Sequence, residues 1–212
     1  MRFSRSSISF SSARTCTDAA RIVASVVQVP PEGLRALPEH GNVRTAFGPT
    51  LGGGPAIVTR VSDTGIAGFD LYAERAQIGA LETQLAASGA AELDPETAEV
   101  LRIEAGVPLF HRDMDEETIP LEAGIEQRAI SFTKGCYVGQ EVIVRVLHRG
   151  HGRVARKLVG VRVEGDKVPR PGAVVRSGAR EIGQVTSATV SPALNQPIAL
   201  AYLHRDFLAP GT

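Results

Sequence analysis

Cysteine is nearly absent, with only Cys16 and Cys136 in 212 residues. A secreted scaffold held by disulfides needs more, so a reducing compartment and a free thiol at Cys136 are expected. An excess of charge is missing too. The 23 basic and 23 acidic residues cancel, so no global property favours nucleic acid or an anionic membrane. No apolar run approaches the ~20 residues of a membrane span. Phosphate-binding motifs are also lacking. Gly52-Gly53-Gly54-Pro55 has no Lys-Ser/Thr after it, and no dinucleotide fingerprint occurs. What is left has the composition of an ordinary globular chain, with enough length for one large domain or two small ones. A cytoplasmic monomer is expected, with no nucleic-acid or membrane partner.

The first 25 residues are rich in Ser and Arg, with Asp18 their only acid. This composition suits a disordered leader: an organelle transit peptide, which would place the chain in an organellar matrix, or the product of a mis-assigned start. Residues 26–55 are broken by Pro and Gly into short pieces. Ala56–Val61 and Phe69–Ala73 read as strands around a turn at Ser62–Gly68. Residues 74–88 read as a helix with Ile78, Leu81 and Leu85 on one stripe and Gly89 as its stop. Asp94-Pro95 reads as an N-cap and first turn of a second helix that buries Val100, Leu101 and Ile103 and ends at Gly106. Residues 107–133 are irregular, with acids at 113, 115, 116 and 117. From about Arg153 the hydrophobic period becomes two, and four strands separated by turns are expected. The expected divisions are a leader at 1–25, a partial α/β domain at 26–152 and a small, incomplete β-barrel at 153–212.

The octet KGCYVGQE, Lys134 to Glu141, is the most unusual stretch. Gly139 can begin a helix through His148. Glu141 and Arg145 then form an i,i+4 pair in the favourable order, and Glu141 complements the helix dipole. The β-branched run Val142-Ile143-Val144 argues for strand instead. On the helical reading, Cys136 lies just ahead of a helix N-terminus with Lys134 nearby, and both features favour thiolate. The alternative is a small residue in a glycine turn. His111, His148 and His151 could serve a cysteine nucleophile, and Cys136, His148 and His151 could ligate metal, though a fourth ligand is not evident. The acids at 113–117 could hold a hard cation or form a solvated loop. Asp63-Thr64-Gly65 reads as a turn.

KGCYVGQE resembles the K-G-C-Y-x-G-Q-E signature of the YgfZ-type folate-binding proteins, relatives of the glycine-cleavage T-protein (aminomethyltransferase) that serve iron–sulfur cluster assembly or repair. Leu101 to Glu126 is similar to that family's R-x-E-A-G…D-x-D-E…P-x-E block, Gly65 to Tyr72 to its glycine turn, and Ser191 to Leu203 to its barrel segment. The likeness covers roughly residues 55–208. It implies an α+β fold: a split α/β folate-binding region followed by a C-terminal antiparallel β-barrel, arranged around tetrahydrofolate. It implies Arg102 as a folate contact, Cys136 as the functional residue, and Lys134, Tyr137, Gln140 and Glu141 as shapers of its loop. It implies iron–sulfur proteins or their assembly factors as partners. In T-proteins the glycine turn reads G-x-x-G-E, and the matching residue here is Phe69. That departure and the octet weigh against aminomethyl transfer. The chain is also shorter than full members of the family, as if truncated at both ends.

Overall fold

A computed structural model describes residues 3–6, 16–148 and 152–210. The chain forms two compact units, Met1–Leu101 and Arg102–Thr212. The division falls well before the change of hydrophobic period at about 153. The reason is that the segment after Leu101 makes its contacts with the C-terminal strands.

In the first unit the chain runs β1 (Phe3–Ser6), α1 (Cys16–Ala24), α2 (Pro31–Arg35), β2 (Asn42–Ala46), β3 (Pro55–Val61), β4 (Gly68–Glu74), α3 (Ile78–Ala87) and α4 (Pro95–Glu104), the last crossing the division. The four strands form one antiparallel sheet in the order β1-β4-β3-β2. Alternation sorts its faces. Ala56, Val58, Phe69, Leu71 and Ala73 point into a core shared with Leu81 and Leu85 of α3. Full burial of each of those two leucines contributes roughly 1.5–3 kcal/mol. Asp70 and Tyr72 take the opposite face.

Residues 16–25 depart from the expected disordered leader. Ala20 and Val23 of α1 are fully buried, as is Val26 just beyond it, and Ala19, Ile22 and Val27 join the same core. Their spacing of three and four residues makes an apolar stripe that the Ser/Arg composition conceals. Residues 1–2 and 7–15 lie outside the described residues. A Cβ at Gly54 would displace the end of the Gln77 side chain, whose amide donates to the Leu51 carbonyl. The predicted ends of α3 and α4 appear in place: Gly89 has φ 99°, and Asp94 accepts from the Thr97 amide at 2.8 Å. The Thr97 hydroxyl, and then its amide, hold the Asp94 carboxyl below the usual range.

The second unit begins with the end of α4 and continues through two single helical turns, α5 (Pro120–Ala123) and α6 (Glu126–Ala129), and then α7 (Gln140–His148). Strands β5 (Arg156–Arg162), β6 (Val174–Ser177), β7 (Arg180–Ser191) and β8 (Gln196–His204) follow. They pair antiparallel in the order β5-β8-β7-β6. Among the described residues β5 and β6 form the edges, so the antiparallel sheet is not closed. The central strand β8 is buried on both faces, and its sequence IALAYL accordingly reads as a continuous apolar run. Ile198, Leu200 and Tyr202 face one cluster with Ile103 and Leu158; Ala199 and Ala201 face another with Val185. Gly183 of β7 lies tight against β8: a Cβ there would lie 2.0 Å from the Tyr202 carbonyl oxygen.

Candidate functional site

Two groups of motif residues lie in the second unit, and a third candidate lies in the first. The first group gathers around Asp113. A tight turn aims this side chain inward. The His111 amide donates to the Met114 carbonyl at 2.7 Å and the Asp113 amide to the Leu109 carbonyl at 2.8 Å. His111 adopts φ 65°, a left-handed conformation that costs a side-chain-bearing residue about 1–3 kcal/mol.

The Asp113 carboxylate accepts from Arg102 Nη1 at 2.6 Å and the Leu109 amide at 3.0 Å on one oxygen. On the other it accepts from the Thr186 and Ser187 hydroxyls. Those donors fill the lone-pair sites of a carboxylate. Arg102 also donates to the Val107 carbonyl at 2.6 Å and to Ser187 Oγ at 2.9 Å. Its side chain is 8% exposed and that of Asp113 is 0%. This full set of hydrogen bonds offsets the desolvation of a buried ion pair. Contact between Arg102 and folate, which the resemblance implies, would require the guanidinium to leave these partners.

The next motif acid, Glu104, accepts from the fully buried Ser191 hydroxyl, which in turn accepts from the Leu194 amide at 3.0 Å. Glu122 of α5 pairs with Arg156 of β5 at 2.9 Å. The acids at 113–117 therefore do not converge. Asp113 turns inward, while Asp115 accepts from Thr118, whose hydroxyl is the main influence holding its carboxyl low. The Arg156 guanidinium also lies 4.7 Å from the centre of the Tyr202 ring. Burial, opposed by Arg156, raises the Tyr202 hydroxyl to about 12. Among the described residues no group meets that hydroxyl in hydrogen-bonding geometry; Thr118 exerts the smallest of the influences on its proton.

The second group is the octet. Residues 140–148 form the helix α7, against the β preference of Val142-Ile143-Val144. Gly139 precedes it at φ 85°, a conformation that favours glycine. Arg145 donates to Glu141 at 2.6 Å, the i,i+4 pair expected from the spacing. Lys134 Nζ lies 4.6 Å from the Tyr137 ring centre, and the Tyr137 amide donates to the Gln140 side-chain oxygen at 3.4 Å. These contacts shape the turn around Cys136, whose free thiol is exposed. Val138 is fully exposed, Phe132 is 60% exposed, and no residue of α7 is buried. Among the described residues no three metal-ligating side chains converge; His151 lies outside them. The His111 ring lies tilted by 60° against that of Phe110, 4.3 Å between ring centres.

The third candidate is Asp70, which the sequence reading passed over. It is 4% exposed, on the sheet face opposite the core, 3.5 Å from the Tyr72 hydroxyl. Its neighbour Phe69 points into the core. A carboxylate at position 69 would be buried among apolar side chains, so the Phe69 departure does not bear on ligand binding. The signal for Asp70 was available: an acid at an inner position of a strand that otherwise reads FDLYA.

An antiparallel α/β unit followed in sequence by an antiparallel sheet, with Arg102 and Asp113 of the R-x-E and D-x-D motifs buried, defines a class of two-part proteins. Family models narrow it. Residues 19–134 match the GCVT N-terminal domain, and residues 156–212 match the glycine cleavage T-protein C-terminal barrel domain. The chain belongs to the glycine cleavage T-protein family. The aminomethyltransferase of Streptomyces coelicolor is 38% identical over 168 residues, 77% of this chain and 45% of that protein. That of Rubrobacter xylanophilus is 40% identical over 151 residues, 71% and 40% of the two chains. The crystal structure of glycine cleavage system aminomethyltransferase T from Bartonella henselae superposes with a TM-score of 0.65 at 25% identity, over 74% of this chain and 44% of that one. The chain thus spans less than half the length of the relatives it matches.

Proposed function

We propose that this chain is a tetrahydrofolate-binding protein of the T-protein family that acts in aminomethyl transfer. The observation that carries this reading is the pair of aminomethyltransferases matching at 38% and 40% identity, with both family domains in order. A pterin presents ring N–H and amino donors that suit a carboxylate held out of water, and Asp70 supplies one. Tetrahydrofolate would supply the nitrogen that receives the one-carbon unit, while ammonia leaves. The test is calorimetric titration with tetrahydrofolate, followed by ammonia release in a reconstituted glycine-cleavage mixture containing the lipoyl carrier. Saturable binding with ammonia release is expected; absence of binding overturns the reading.

A second reading rests on the octet. Its exposed Cys136, framed by Lys134, Tyr137, Gln140 and Glu141, suits an accessory protein that presents a thiol to iron–sulfur proteins or their assembly factors while tetrahydrofolate is bound. Folate binding without ammonia release, together with loss of iron–sulfur enzyme rescue in Cys136→Ala, favours this reading over transfer.

A further inference from the structure

We propose that the bulge in β7 is a latch that clamps the segment 107–123 onto the sheet. Along a regular strand, successive side chains point to opposite faces, so hydroxyls at 186 and 187 could not reach one carboxylate. The register shows how they do. Val185 pairs with Ala201 and Ser187 with Leu200, leaving Thr186 as an extra residue. The extra residue reverses the faces beyond it. Val185 packs on one side of the sheet with Ala199 and Ala201, while Ser187 and Ser191 both emerge on the side of Ile103 and Leu200. Thr186 and Ser187 consequently converge on the same Asp113 oxygen. Deleting the bulge would turn one of these hydroxyls away from Asp113.

The partners are 73 and 74 residues apart in sequence, and Asp113 passes the restraint to Arg102 and to the Val107 carbonyl. One extra strand residue therefore anchors both ends of the 102–113 turn. Past Asp113 the segment is held again by Glu122 on Arg156 and then leads into the octet. Thr186 and Ser187 are positioning residues on this account, whatever chemistry the octet performs. The segment they hold is expected to open and close as one unit, separately from the strands that bear it.

Amide hydrogen exchange of the full chain tests this, with Thr186→Val, Ser187→Ala and the pair compared with the parent. Thr186→Val keeps the size of the bulged residue and reports even if the pair fails to fold. Exchange over 107–123 is expected to accelerate at least about tenfold in each variant, as for the loss of a buried hydrogen bond to a charged group, while β5 keeps its parental rates. Unchanged exchange over 107–123 would overturn the latch. So would equal acceleration across the whole sheet, because the hydroxyls would then contribute only to global stability.

Discussion

Two motif blocks follow one another in the second unit, and the fold treats them oppositely. In the block from Arg102 to Glu122, three charged residues, Arg102, Asp113 and Glu122, are buried, and its acids meet defined partners: Asp113 meets Arg102, Thr186 and Ser187, Glu104 meets Ser191, and Glu122 meets Arg156. In the octet, Cys136 and Val138 are exposed, and the helix that follows buries no residue. A short, specific sequence has two physical origins. Either the fold demands those side chains, or something that binds the fold does. The first block is of the former kind. The octet contributes little burial, and we propose that it is of the latter.

Breaking the first block should produce the largest effect. Asp113→Ala leaves the Arg102 guanidinium buried without its carboxylate, and a loss of about 3–5 kcal/mol in unfolding free energy is expected by urea titration. Ser191→Ala removes a fully buried hydroxyl that serves both Glu104 and the Leu194 amide, so a loss of about 1–2 kcal/mol is expected. A smaller effect, of opposite sign, comes from Tyr202→Phe. Removing a buried hydroxyl that lacks a well-aligned partner should leave stability unchanged or raise it by up to about 1 kcal/mol.

The same residue sharpens the contrast through pH. Its proton is held to about 12 in the fold, against about 10 in the unfolded chain. The folded state thus favours the neutral form. The resulting stability is fully present below pH 10 and is lost as pH rises toward 12. Thermal melts of parent and Tyr202→Phe at pH 8 and pH 11 should diverge, with the parent losing more. Least of all in stability should be Cys136→Ala, within about 0.5 kcal/mol of the parent, while any iron–sulfur rescue or thiol-dependent activity disappears.

The elements with strong local signals were legible in the sequence. Asp94-Pro95 and Gly89 mark helix ends by their own chemistry, the Glu141–Arg145 spacing outweighed three β-branched residues, and period two announced β5 to β8. The family block was legible as a resemblance, but the work its residues do was not. Asp113 meets its partners across more than 70 residues of chain, and nothing local in VTSA marks a bulge at Thr186. The α1 helix was hidden for a different reason. A Ser- and Arg-rich composition drew attention away from the stripe of Ala19, Ala20, Val23 and Val26, which a count of spacings would have exposed. Asp70 was overlooked because the resemblance set its neighbour Phe69 opposite the glutamate of the glycine turn.

The contrast between the blocks meets its most direct test in one urea unfolding curve. The variant carries Lys134→Ala, Cys136→Ala, Tyr137→Ala and Gln140→Ala together. If the octet serves what binds the fold, its unfolding free energy stays within about 1 kcal/mol of the parent, as expected for surface positions. A loss as large as that of Asp113→Ala would show that the octet, too, is demanded by folding, and the distinction would collapse.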